Sequence, residues 1–140
     1  MDLTNKEPKK STLMVIKKPD NPIQVIANKL FEAEVLCHMM HLEAKKKNYA
    51  EHKALEEFYT GIGDLNDNLV EKSYVEYGAL NNYIISINSS SFKASGDYLR
   101  EVYSLVSKQR ESVSVGFIQQ IIDDILDLTS GVIYKLDNLH

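Results

Sequence analysis

Residues 21–47 read NPIQVIANKLFEAEVLCHMMHLEAKKK, and the reading of this stretch decides the fold. Asn21 is a natural N-cap, Pro22 fits the first helical position, and Gln24 stands where a capping-box partner belongs. Ile23, Ile26, Leu30, Ala33, Cys37, Met40 and Ala44 then recur at alternating steps of three and four. That period keeps one apolar face turned inward, so the spacing predicts a long first helix over 22–46 rather than a strand. Lys45, Lys46 and Lys47 close it with positive charge at the end where the helix dipole favours it.

The chain beyond repeats the pattern. Asn48 caps a second helix with Glu51 three residues on, and Leu55, Phe58, Ile62, Leu65 and Leu69 form its core stripe to about residue 73. So short a link makes the first two helices antiparallel neighbours. A third helix is expected over 95–111, with Leu99, Val102 and Val106 inward. A fourth is expected over 114–138, with Ile118, Ile121, Ile125, Leu128, Val132 and Leu136 inward. Residues 74–94 are less regular and carry Tyr74, Tyr77, Gly78, Tyr83 and Ser89-Ser90-Ser91. They read as a crossover holding a short helix around 79–87, long enough at about 3.3 Å per extended residue to run the length of a bundle. The expected fold is all-α, a ferritin-like four-helix bundle over 21–140 with one long crossover, preceded by a lysine-containing tail over 1–20.

Composition agrees and excludes other classes. A chain of 140 residues is one domain, and 44% hydrophobic with 26% charged residues is ordinary for a globular protein. The single cysteine, Cys37, excludes an internal disulfide and fits a reducing compartment such as the cytoplasm; on the apolar stripe it reads as a buried small hydrophobe. No apolar run approaches the roughly 18 residues of a membrane span. The charged N-terminus is unlike an export signal. A net charge of −4 disfavours a nucleic-acid-coating protein, although the tail itself carries Lys6, Lys9, Lys10, Lys17 and Lys18 against Asp2, Glu7 and Asp20. DNA binding through that tail would be weak, non-specific and salt-sensitive.

The chemistry lies in a histidine and carboxylate constellation. His38, His41 and His52 bracket the turn between the first two helices, and the second helix carries Glu56, Asp67 and Glu71. His52–Glu56 and Asp67–Glu71 are each one turn apart, so each pair presents two ligands on one face. His52 and Asp67, however, are about 22 Å apart along a helix rising 1.5 Å per residue, too far for one ion. A second copy of the helix laid antiparallel across a two-fold axis puts its Glu71 level with His52 and its Asp67 level with Glu56. The axis falls between Gly61 and Ile62. Mid-helix glycines at 61 and 63 each cost about 1 kcal/mol relative to alanine, and a close helix crossing there explains them. With His41 brought across the short link, imidazoles and carboxylates with open positions suit Fe(II), and also Zn(II) or Mn(II). Asp123, Asp124 and Asp127 on the fourth helix read as a solvated face.

From Val35 to Lys72 the sequence resembles the Dps-type mini-ferritins. That resemblance implies a ferroxidase centre between two subunits, with metal ligands His41, His52 and Glu56 from one chain and Asp67 and Glu71 from the other. It also implies Fe(II) oxidation by peroxide or O₂ and iron storage if a larger cage closes. Two positions depart from the family pattern: Leu42 stands where a tryptophan is usual, and Glu56 replaces the common aspartate. The chain is also similar to small Dps-like proteins of phage and bacterial genomes. A non-catalytic alternative therefore stands beside the enzyme: a helical-bundle structural or adaptor protein, for example a virion or assembly component.

Overall fold

The computed structural model describes residues 21–44, 48–87 and 94–140. The lysine tail, Lys45 to Lys47 and the serine run at 89–91 lie outside them. Among the described residues there are five helices and no strand: α1 (Pro22–Ala44), α2 (Tyr49–Lys72), α3 (Tyr74–Tyr77), α4 (Ser95–Arg110) and α5 (Gly116–Asn138).

The caps form as their chemistry requires, and their expected box partners do other work. Asn21 Oδ1 accepts from the Ile23 N–H at 2.9 Å, and Asn48 Oδ1 from the Glu51 N–H at 3.1 Å. Gln24 instead reaches across to accept from the Asn82 N–H at 3.0 Å. The Glu51 carboxylate accepts the Ser95 hydroxyl at 2.6 Å, joining the starts of α2 and α4.

Every stripe residue of α1 expected inside is buried, from Ile23 to Ala44. Leu55, Phe58, Ile62 and Leu69 of α2 meet them, with Leu99, Val102 and Val106 of α4 and Ile118, Ile121, Ile125 and Val132 of α5. Leu65, Leu128 and Leu136 are only partly buried, packed against this core from its rim. The four long helices pack in a ring, α1 beside α2, α2 beside α5, α5 beside α4 and α4 beside α1.

Ion pairs fix the directions. Lys135 of α5 meets Glu57 near the start of α2 at 2.6 Å, so this pair is antiparallel. Arg110 clasps Asp123 through two bonds of 2.6 and 3.0 Å at the α4–α5 turn, and Arg100 pairs with Asp137 at the other end. Tyr98 donates to Glu32 at 2.7 Å while Lys29 reaches Glu101, tying α4 antiparallel to α1. The two hairpins therefore stand with α2 and α4 parallel, which only a long crossover permits.

That crossover differs from expectation. The short helix lies at Tyr74–Tyr77, immediately after α2, and Gly78 ends it at φ +77°, a left-handed conformation that suits glycine. Residues 79–87 are not helical. They are tied along α1 instead, because Asn21 donates to the Tyr77 carbonyl, Gln24 accepts from Asn82, and Asn28 donates to the Asn82 carbonyl. Phe31 meets the Tyr83 ring edge-on at 5.6 Å. A row of amides on one face of α1 thus satisfies a backbone that forms no helix of its own. No described helix is long and apolar enough to cross a membrane.

Candidate metal centre

The turn between α1 and α2 brings His41 and His52 face to face, their rings stacked at 3.7 Å and 19°. His41 Nδ1 lies 2.7 Å from the His52 carbonyl, and His52 Nδ1 lies 3.0 Å from the His41 carbonyl. A carbonyl only accepts, so each Nδ1 carries the proton and donates. His52 thus ties the start of α2 to the last turn of α1. The consequence for chemistry is on the opposite side of each ring. With Nδ1–H committed to backbone, both Nε2 atoms keep a free lone pair, the arrangement by which proteins orient metal-binding imidazoles.

Glu56, one turn beyond His52, completes the group. One ligand atom each from His41, His52 and Glu56 lies within 4.8 Å of the others. Bonds of about 2.0–2.2 Å to a first-row ion allow ligand separations up to about 4.3 Å, so small side-chain shifts close the set. His41 is buried, while His52 and Glu56 are half-buried and reachable from solvent. Lys53 binds Glu56 at 2.9 Å, and that hydrogen bond, followed by the Lys53 charge and the nearby histidines, holds the Glu56 carboxyl below its usual range. A cation entering the site displaces an ammonium from a carboxylate that is already ionised.

Asp67 and Glu71 are exposed further along α2 and do not join this set within one chain. Asp67 instead lines an open groove of about 680 Å³ between α1 and α2, with Glu34, Val35, His38, Met39, Leu42, Tyr59 and Asp64 among its walls. Glu34 faces Asp67 and Asp64 there. Burial first, then those two charges, raise its pKa above 4.5, and His38 offsets them in part.

Tyr59, to which the sequence assigned no role in the site, stacks on His38 at 4.1 Å and meets His41 edge-on at 5.1 Å. His38 sits 6.0 Å from the His41 ring. The signal was present, since positions 52, 56, 59 and 63 share one face of α2 at steps of four, three and four. The glycines also find intrachain reasons. A Cβ on Gly61 would lie 3.0 Å from Leu128 of α5, and one on Gly63 would lie 2.9 Å from the Glu34 carboxylate. Cys37 is fully buried, and desolvation pushes its thiol up to about 12.

Residues 41–136 match the family described as a family of unknown function, DUF5856, and the chain belongs to that family. No curated protein and no solved structure matches it.

Proposed function

We propose that this DUF5856 chain is a ferritin-like, Dps-like iron protein that binds Fe(II) as substrate at His41, His52 and Glu56 and passes its electron to an oxidant. The observation that carries the reading is the reciprocal histidine pair, which leaves the Nε2 lone pair of each ring free in a cluster that also holds the ionised Glu56 carboxylate. Two antiparallel hairpins joined by one long crossover is also the connectivity of ferritin-like bundles. On this reading Asp67 and Glu71 of a second copy, antiparallel along α2, complete the coordination. The glycines no longer argue for that pairing, since Leu128 and Glu34 already occupy the space beside them. Zn(II) or Mn(II) suit the same donors.

The chain's own groups have separate tasks. The imidazoles hold the ion without adding charge, and Glu56 stabilises the extra positive charge as Fe(II) becomes Fe(III). Each Fe(II) gives up one electron. Two such electrons break the O–O bond of one hydrogen peroxide to give two hydroxides.

The test joins metal content to kinetics. Protein purified without chelator should carry transition metal by elemental analysis, and it should oxidise Fe(II) faster than buffer. His52→Ala should abolish both, and Glu71→Ala should abolish the excess rate if a second chain completes the site. Equal oxidation by wild type and His52→Ala would falsify the catalytic reading. A second reading, a non-catalytic adaptor, is favoured by the apolar rim of the groove, where Val35, Met39 and Leu42 are 46%, 40% and 53% exposed. Metal-free protein with an intact bundle would support it.

A further inference from the structure

The α1–α2 groove is a strip between two antiparallel helices whose chemistry changes along its length. His38 stacks on Tyr59 across it, and the Glu34 carboxylate lies 2.9 Å from where a Cβ of Gly63 would stand. Glu34 thus reaches over to α2 beside Asp64 and Asp67, which line the same groove. Among the described residues none of these three carboxylates has an ion-pair partner. Toward the turn the wall is apolar. Val35, Met39 and Leu42 stand exposed at steps of four and three, a ridge along α1 about 10 Å long at 1.5 Å per residue.

Each feature narrows the occupant. An exposed apolar ridge gains from burial, and a methionine within it adapts to the surface laid on it. Three unpaired carboxylates repel phosphate groups, in nucleic acid or lipid, and gain from cations. The backbone decides the occupant's shape. Both walls are α-helices whose mid-helix N–H and C=O groups are satisfied internally, so an extended segment finds no ladder to join. A helix brings its own backbone bonds and sets a side-chain ridge into the strip between two others.

We propose that this groove docks a basic amphipathic helix of a partner protein. The partner's apolar stripe covers Val35, Met39 and Leu42, and its cations meet Glu34, Asp64 and Asp67. Leu42 and Glu34 lie about 12 Å apart along α1, so those cations stand about two turns from the apolar residue that meets Leu42. Such docking gives the adaptor reading its partner and does not depend on the iron chemistry. Asp67 belongs to both, so a second copy laid along α2 and this partner exclude each other.

The experiment uses the full chain without metal. The probe is a synthetic alanine-rich helix of about 16 residues, long enough to be helical alone. It carries leucines on one stripe over its first two turns and arginines on the same stripe over the rest. Methyl NMR signals of Val35, Met39 and Leu42 should shift on titration, while the Tyr103 ring, in the α4–α5 groove across the bundle, should not. Glu34→Gln with Asp64→Asn should weaken binding about tenfold, and Leu42→Asp by a similar factor. Glu34→Lys with Asp64→Lys should switch the preference to a probe with glutamates in place of the arginines. Asp124→Asn with Asp127→Asn, an equal charge change on the exposed face of α5, should leave the affinity as it was.

Unmoved methyls overturn the proposal, as does equal affinity for a probe whose leucines are scattered around the helix. Affinity lost equally in the α5 variant is general attraction to an acidic protein and also overturns it. So do methyl shifts that grow with protein concentration and need no probe, because they put a second copy in the groove. The adaptor reading fails on different measurements, metal content and Fe(II) oxidation, so the two failures are told apart.

Discussion

At the turn end of the α1–α2 hairpin each imidazole gives its Nδ1–H to the other's backbone carbonyl, and the rings stack. About two helical turns back, Glu34 faces Asp64 and Asp67, with His38 the partial offset. The same two helices build both ends. The histidine end is satisfied within the chain and fixed before any ligand arrives, so its ordering cost is met on folding. The acid end is a set of like charges that gains from any cation brought to it. Preorganisation and electrostatic demand are thus separated by a few helical turns, and only the first is visible as hydrogen bonds.

The largest effect should come from breaking the fixed end. His41→Ala and His52→Ala should each lower unfolding free energy by about 1–3 kcal/mol, since each leaves a polar group of the other unpaired. The double variant should lose less than the sum by more than about 0.5 kcal/mol. Urea melts of the four proteins check this, and additive losses would mean that the rings act independently.

The two glycines sharpen the contrast between packing and charge. Gly61→Ala drives a Cβ against Leu128 and should destabilise, with an overpacking cost of about 1–3 kcal/mol outweighing the helix-propensity gain of about 1 kcal/mol. Gly63→Ala meets only the free end of Glu34, which can swing toward solvent, so up to about 1 kcal/mol of that gain should appear as added stability. Denaturation midpoints with opposite signs are expected.

The smallest effect is a pH profile. Because Glu34 is raised above 4.5, the unfolded chain releases that proton more readily than the folded one. Its contribution is fully present below the unfolded value and is lost as pH rises through the raised one. Glu34→Gln should therefore be slightly more stable than wild type at pH 7, by under about 1 kcal/mol because solvent screens a half-buried site on an open groove. The advantage should vanish below pH 4.5, and thermal melts across that range decide it.

Much of this was legible from side-chain period alone. The α1 stripe needs no partner to be read, because only a helix puts Ile23, Ile26, Leu30 and Cys37 on one face. The His52–Glu56 turn was legible for the same reason, and His41 followed from the short link. What escaped was whatever depended on backbone groups meeting across space. The imidazole-to-carbonyl bonds of the histidine pair leave no mark in spacing. The amides of Asn21, Gln24 and Asn28 look like cap and surface residues until residues 79–87 are laid against them. Tyr59 is readable by register alone, because it shares the face of α2 that carries His52 and Glu56. Gly61 and Gly63 invited an intermolecular explanation only because Leu128 and Glu34 are far away in sequence.

The parallel placement of α2 and α4 has a kinetic consequence. Each hairpin closes through a few residues and can collapse in isolation, whereas docking one on the other waits for residues 77–83 to be laid along α1. Local pairings form fast and distant ones pay loop-closure entropy first. The amide row that anchors Asn82 therefore governs the slow stage of self-assembly, and loosening it should retard maturation of the bundle more than it weakens the finished one.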